Sequence, residues 1–394
     1  MKLKPSFAEA HYNLGLALGQ AGSLEEAAAE FRRAIQLSPQ MGPAHSRLGV
    51  TLRRLGDQQG ALREFRESVR LNPGDPEAQY NLAMALKEAN DSEGAIAAFR
   101  RAVELKPDFE KARYNLGIAL RAQGRSSDAA KELQEVKALH DFRLHLAQAK
   151  NLIVQGVEFL KIEKWDQALE AFEQAAKESP ELPTSHYYLG VAWERKGEPD
   201  KALAAYNKAL EFKPDYAQVH SSLGLFYARR NKSAKALGEF EQAVMLDPDL
   251  AEAHYNFGLA LAQAGRVEEA ARELLEAISL NPESLEARLA LGLALSQKND
   301  LTGAANVFRE AVKRRPASAE SCNNLGLVLL QAKDVTGAQA ALEKAVALKP
   351  DYAEAHYNLG LALQEAGRAE ESRREMDKAF ELAPHLRNAA KIRQ

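Results

Sequence analysis

Histidines are the first residues to test for chemistry, and the chain has nine. His11 and His45 lie 34 residues apart, His186, His220 and His254 follow at the same interval, and His356 stands three such intervals beyond His254. One ion needs all its ligands in direct contact. Histidines spaced like this on successive helical pairs, roughly 20 Å apart for helices packed near 10 Å, cannot share an ion. They are expected to be packing residues, each with a satisfied ring nitrogen. His140 and His145 are five apart, a poor spacing for one helical face. Cys322 is the only cysteine, which excludes an internal disulfide and a thiolate zinc site. Gly15, Gly19 and Gly22 superficially suggest a phosphate loop, but no Lys-Ser/Thr pair follows them. HExxH, paired-carboxylate and serine-triad patterns are also missing from the sequence. No catalytic residue, metal ligand or cofactor is therefore assigned.

The interval of 34 belongs to the whole chain. Residues 8–22 read AEAHYNLGLALGQAG, 251–265 read AEAHYNFGLALAQAG and 353–367 read AEAHYNLGLALQEAG. Eleven repeats begin at Ala8, Gly42, Pro76, Glu110, Ala149, Pro183, Ala217, Ala251, Leu285, Ala319 and Ala353, with five inserted residues at 144–148. Position 8 of each is glycine except at Ala83, position 20 is alanine except at Ser372, and position 32 is proline except at Asp141. Positions 4, 7, 8 and 11 share one helical face. Position 15 is glycine or asparagine in nine repeats, as at Gly22, Asn90 and Asn231, the residue types that accept the left-handed conformation ending a helix. A second helix follows, with apolar residues at positions 20, 24 and 27, and proline at 32 stops it. Each repeat is thus a helical hairpin that must stack on its neighbours to bury its faces. Trp165 and Trp193 fall at positions 17 and 11 of their repeats.

With its Leu-Gly, Tyr, Ala, Phe and Pro positions spaced in this way, residues 8–386 resemble the tetratricopeptide repeat (TPR) family. The resemblance implies an all-α, right-handed superhelical solenoid of about eleven TPR helix-turn-helix repeats. Among its members, long arrays such as the helical-repeat part of O-linked N-acetylglucosamine transferase also carry asparagine at position 6. No transferase domain follows here, so that activity is not carried over. Between about Ser126 and Lys161 there is no proline and the only glycine is Gly156, which predicts one irregular extended helix. Five inserted residues are not a whole number of turns and should shift the stacking phase. The expected organisation is a block at 1–143, a helical splice at 144–148, a block at 149–386, and a cap helix or further repeat at 387–394. The opening MKLKPSF matches the tail of a repeat, as at Leu105-Lys106-Pro107, so the chain is expected to start partway through one.

In this family the first helices line the concave face, and the resemblance implies that positions 2, 5, 6, 9, 12 and 13 point into it. Position 6 is asparagine at Asn13, Asn81, Asn115, Asn256, Asn324 and Asn358. Each amide offers donor and acceptor, so a row of them can pair with an extended peptide backbone regardless of its sequence. Position 5 is often tyrosine: Tyr12, Tyr80, Tyr114, Tyr187, Tyr255 and Tyr357. Position 9 is always aliphatic or methionine, never the asparagine that a carboxylate clamp for chaperone tails requires. Arg53, Lys87 and Arg121 hold position 12 in repeats two to four, while Lys161, Arg195 and Arg229 hold position 13 in repeats five to seven. Position 2 becomes Glu252, Glu286, Glu320 and Glu354 farther along. The expected lining is basic first and acidic later, a field that would orient a charged partner.

Lysine plus arginine is 52 against 55 for aspartate plus glutamate, a formal charge of −3, which argues against a nucleic-acid backbone as the partner. No apolar run approaches the roughly 20 residues that span a bilayer, which argues against a membrane partner. The function expected is a non-catalytic scaffold holding an extended or disordered protein segment. The other readings are a substrate-recruiting arm of a larger enzyme and self-association.

Overall fold

A computed structural model describes residues 7–387 of the 394. The expectations at both ends, the partial repeat over 1–6 and the cap over 388–394, lie outside the described residues. Twenty-one α-helices and no strand occur among the described residues. The chain divides into two compact units, one ending at Gln148 and one beginning at Ala149. The first contains α1 (Phe7–Ala21), α2 (Leu24–Leu37), α3 (Gly42–Arg54), α4 (Gln58–Leu71), α5 (Pro76–Glu88), α6 (Ser92–Leu105), α7 (Glu110–Ala122) and most of α8 (Ser126–Lys161). The second continues with α9 (Trp165–Glu178), α10 (Pro183–Lys196), α11 (Pro199–Phe212), α12 (Ala217–Ala228), α13 (Ser233–Leu246), α14 (Ala251–Gln263) and α15 (Val267–Leu280). It ends with α16 (Leu285–Gln297), α17 (Leu301–Arg314), α18 (Ala319–Gln331), α19 (Val335–Leu348), α20 (Ala353–Glu365) and α21 (Ala369–Leu382). Eleven hairpins would give twenty-two helices. The 36-residue α8 serves as the second helix of repeat four and the first of repeat five, and so removes one.

Each hairpin turns in the same way. Position 15 has positive φ in all eleven repeats, including the two without glycine or asparagine, Glu163 and Lys333. The amide of position 16 then donates back to the carbonyl of position 11, as in Asp91 to Leu86 and Asp300 to Leu295, both at 2.9 Å. This six-to-one bond is what the left-handed residue makes geometrically available. In four repeats position 16 also starts the next helix: Asp57, Asp91, Asp300 and Asp334 accept from the amides of Gly60, Gly94, Gly303 and Gly337 at 2.8–2.9 Å.

Glycine at position 8, present in ten of the eleven repeats, suits the close crossing of the two helices. A Cβ on Gly15 would lie 2.7 Å from the Phe31 ring, and one on Gly224 would lie 2.5 Å from Phe240. The position-24 side chains that fill this space, Phe31, Phe65, Phe172, Tyr206, Phe240 and Phe308 among them, are buried and anchor the core. Within each unit, first helices also touch the next first helix: α1 with α3, α3 with α5, α12 with α14, α14 with α16 and α18 with α20. No second helix packs on the next second helix to that extent among the described residues. The more closely spaced row lies on the inside of a bend, so the first helices form the inner face of each unit.

Candidate functional site

Residues 35 apart meet along the inner row. Asn358 donates to Asn323 at 2.9 Å, Arg229 to Glu194 at 2.8 Å and Ser296 to Gln331 at 3.2 Å, while Arg53 lies 4.0 Å from Glu88. Successive first helices are thus direct neighbours, which corrects the separation of about 20 Å expected from helix-pair width. The histidines stay independent for a different reason: a glutamate of the repeat's own second helix engages most of them. His11, His45, His220, His254 and His356 place Nδ1 2.5–2.8 Å from Glu30, Glu64, Glu239, Glu273 and Glu375. No cluster of three or more metal-binding side chains forms among the described residues.

Those glutamates, at position 23, were missed in the sequence. The signal was available as covariation between repeats. Position 23 is glutamate where position 4 is His11, His45, Arg113, His220, His254 or His356, and alanine or valine opposite Gln79, Leu152, His186, Arg288 and Cys322. The ring also reaches backward. Nε2 of His186, His220, His254 and His356 lies 2.7–3.1 Å from the carbonyl oxygen of Pro180, Pro214, Pro248 and Pro350. The proline that stops one repeat therefore presents the carbonyl that fastens the next.

The six asparagines do not form a uniform row. Asn13 is exposed, Asn81, Asn115 and Asn324 are half-buried, and Asn256 and Asn358 are buried. Asn115 donates to the Lys111 carbonyl of its own helix at 2.9 Å, and Asn358 is spent on Asn323. Asn256 is 9% exposed, and its buried amide nitrogen has no hydrogen-bond partner. The tyrosines are mostly half-sunk against aromatic neighbours: Tyr12 on Phe31, Tyr80 on Phe99 and Phe109, Tyr357 on Phe380. Tyr114 is exposed. Burial raises the Tyr255 phenol pKa, with Glu286 adding to it. Tyr255 walls a cleft of about 230 Å³ with Glu252, Asn281, Ser284 and Glu286.

The cations differ as well. Arg53 and Arg229 are engaged with Glu88 and Glu194, whereas Lys87, Arg121 and Arg195 are exposed. Arg195 rims a cleft of about 320 Å³ whose apolar wall is Val157, Leu160, Trp165 and Val191. In repeats six and seven the Tyr206 hydroxyl of second helix α11 bonds Glu194 at 3.1 Å, and Glu194 also receives Arg229 at 2.8 Å. Burial, foremost, and Glu194 push the Tyr206 phenol far above its ordinary range.

Sequence profiles described as "Tetratricopeptide repeat" match residues 46–109, 80–142 and 153–217, residues 8–41 and 353–386, and residues 285–318. A profile described as "TPR repeat" matches 226–265, 258–298 and 330–367. No curated protein matches the chain. Among solved structures, YrrB, titled a TPR protein with an unusual peptide-binding site, is 22% identical; the match covers 46% of this chain and 93% of that one, with a TM-score of 0.41. PilF of Pseudomonas aeruginosa is 20% identical over 54% of this chain and 96% of that one, with a TM-score of 0.48. PilW, titled a type IV pilus biogenesis factor, is 21% identical over 55% and 98%, with a TM-score of 0.47. The repeats fill nearly the whole described chain, as in a protein–protein interaction scaffold, and the chain belongs to the tetratricopeptide repeat family.

Proposed function

We propose that the inner row of first helices within a unit holds an extended segment of a partner protein, without catalysis by this chain. The observation that carries this reading is unspent hydrogen-bonding capacity at position 6. Among the described residues the Asn256 amide nitrogen is buried without a hydrogen-bond partner, and the Asn13 side chain stands exposed at the same register position. An unpaired buried donor costs about 1–3 kcal/mol, a cost that an acceptor on a bound segment removes after a small adjustment of the side chain. In the second unit the two clefts supply apolar contact for side chains of a segment held there, and in the first unit exposed Tyr114 does so for a segment held on that unit. The near-neutral charge of the chain favours a protein segment over nucleic acid. Affinity for one flexible segment is expected near micromolar, because ordering it offsets much of the contact energy.

The experiment compares affinity capture by the parent with capture by a variant carrying Asn13→Ala, Asn81→Ala and Asn324→Ala. The two proteins should have matching helical content. Ligands retained by the parent and lost from the variant, and crosslinking to Tyr114 or Tyr255, support the reading. Identical captured sets, with crosslinks on the second helices, overturn it.

A further inference from the structure

Four histidines present both ring nitrogens to groups that accept hydrogen bonds. Nδ1 of His45, His220, His254 and His356 lies 2.7, 2.8, 2.7 and 2.6 Å from a carboxylate oxygen of Glu64, Glu239, Glu273 and Glu375. Nε2 lies 3.2, 3.1, 3.0 and 3.0 Å from the carbonyl oxygen of Pro39, Pro214, Pro248 and Pro350. A carbonyl oxygen can only accept, so Nε2 must carry a hydrogen to bond it. A neutral ring with its hydrogen there turns a lone pair toward an ionised carboxylate. The other neutral tautomer turns a lone pair toward the carbonyl. Only a ring with both hydrogens satisfies both contacts while the glutamate is ionised.

Repeat four supplies an internal comparison. Arg113 occupies the same position with a permanent charge and makes the same two bonds, Nη1 to Glu132 at 2.8 Å and Nε to the Pro107 carbonyl at 2.7 Å. Repeat three lacks the charge: Gln79 reaches only the Pro73 carbonyl, at 3.3 Å, and the glutamate position there is Ala98. The site is therefore built for a cation with two donors wherever a glutamate faces it.

We propose that His45, His220, His254 and His356 are proton-dependent ties, each fastening its own hairpin and the end of the preceding repeat, so that each unit's stack loosens when the proton leaves. Loss of that proton leaves either the glutamate or the proline carbonyl without a donor. The first loosens the hairpin, and the second loosens the junction between repeats. Among the described residues, the carboxylate bonded to each ring comes from the second helix of the same repeat. Glu239 on α13 faces His220, Glu273 on α15 faces His254, and Glu375 on α21 faces His356. His45 faces Glu64 and senses Glu67, which is bonded to Arg70, all on α4. At His220 the hydrogen bond with Glu239 raises the pKa, burial opposes it, and the Pro214 carbonyl adds to the rise. A pKa raised by folding gives stabilisation that is complete below the unfolded value, about 6.5, and is lost as pH rises through the folded value.

The test follows denaturant unfolding of the full chain at about pH 6 and about pH 8.5, a window that brackets histidine titration. The parent is compared with a fourfold H45R/H220R/H254R/H356R variant, which copies Arg113, and with the fourfold glutamine variant, which copies Gln79. The parent midpoint should fall between the two pH values. The arginine variant should lose that fall, and the glutamine variant should be weaker at the lower pH with little further change. A parent midpoint that does not fall, or an arginine variant that falls equally, overturns the proposal. Ring ¹⁵N shifts of the parent, assigned by single His→Gln variants, decide independently of whether the fourfold variants fold. A doubly protonated signature for His220 in the folded parent at a pH where unfolded histidine is neutral supports the ties, and a neutral-ring signature there refutes them.

Discussion

Gly15 and Gly19 stand one turn apart in α1 and should respond oppositely to the same added methyl. At Gly15 the new Cβ would press to 2.7 Å from Phe31, whereas at Gly19 the nearest atom is the Ala27 Cβ at 3.9 Å. Gly15→Ala should lower stability by about 1–2 kcal/mol, overpacking outweighing the helix preference of alanine. Gly19→Ala should raise it by about 0.5–1 kcal/mol. Ala83 opposite Phe99 shows that one repeat accommodates the larger residue, which keeps the first cost modest. Lys333 adopts φ 64°, where a side chain crowds its own backbone, so Lys333→Gly should gain about 1 kcal/mol. Its contact with Glu365 at 3.8 Å joins two exposed side chains and offsets little of that gain. Denaturant midpoints of the four proteins check all three signs.

Among the elements, the hairpin turn carries two jobs at adjacent residues, and they can be separated. The left-handed residue at position 15 closes the first helix, and an aspartate at position 16 caps the second. Asp300→Ala removes the bond to the Gly303 amide while leaving the Asp300-to-Leu295 backbone bond in place. The variant should lose about 1 kcal/mol, and amide exchange should quicken in the first turn of α17 rather than at the end of α16. Equal acceleration on both sides would show that cap and turn act as one. The extended α8 obeys the same rules by their absence: no left-handed residue or proline interrupts Ser126–Lys161, and the helix continues.

For the whole molecule, each hairpin touches chiefly its neighbours, so stability approximates a sum of repeat and junction contributions. The charge order along the chain is a proposal on the same scale. Lys87 and Arg121 remain exposed, while Glu252, Glu286, Glu320 and Glu354 carry the opposite sign in later repeats. Lys87→Glu with Arg121→Glu should slow association of a groove-binding acidic segment at low ionic strength. The difference should shrink near 1 M salt, where screening acts within about 3 Å. Equal on-rates at every salt concentration would remove charge steering from the account.

Sequence alone determined the repeat, its length, both helices of each hairpin and the run-through of α8, because these follow from local properties. Glycine where two backbones cross, glycine or asparagine where φ is positive, and proline where a helix must stop are each demanded by one residue's own chemistry. The alternation of apolar positions then leaves stacking as the only way to bury both faces. Glu163 and Lys333 escaped this reading because tertiary packing imposes the turn on residues that do not favour it. Which inner-face groups remain free was decided only in three dimensions. Asn13 and Asn358 share one register position, yet one is exposed and the other is buried against Asn323 of the preceding first helix, since burial at this position depends on the neighbouring first helix. The histidine ties lie between these extremes: the residues covary openly along the chain, but their meaning needs the second helix folded back to set each glutamate beside its ring.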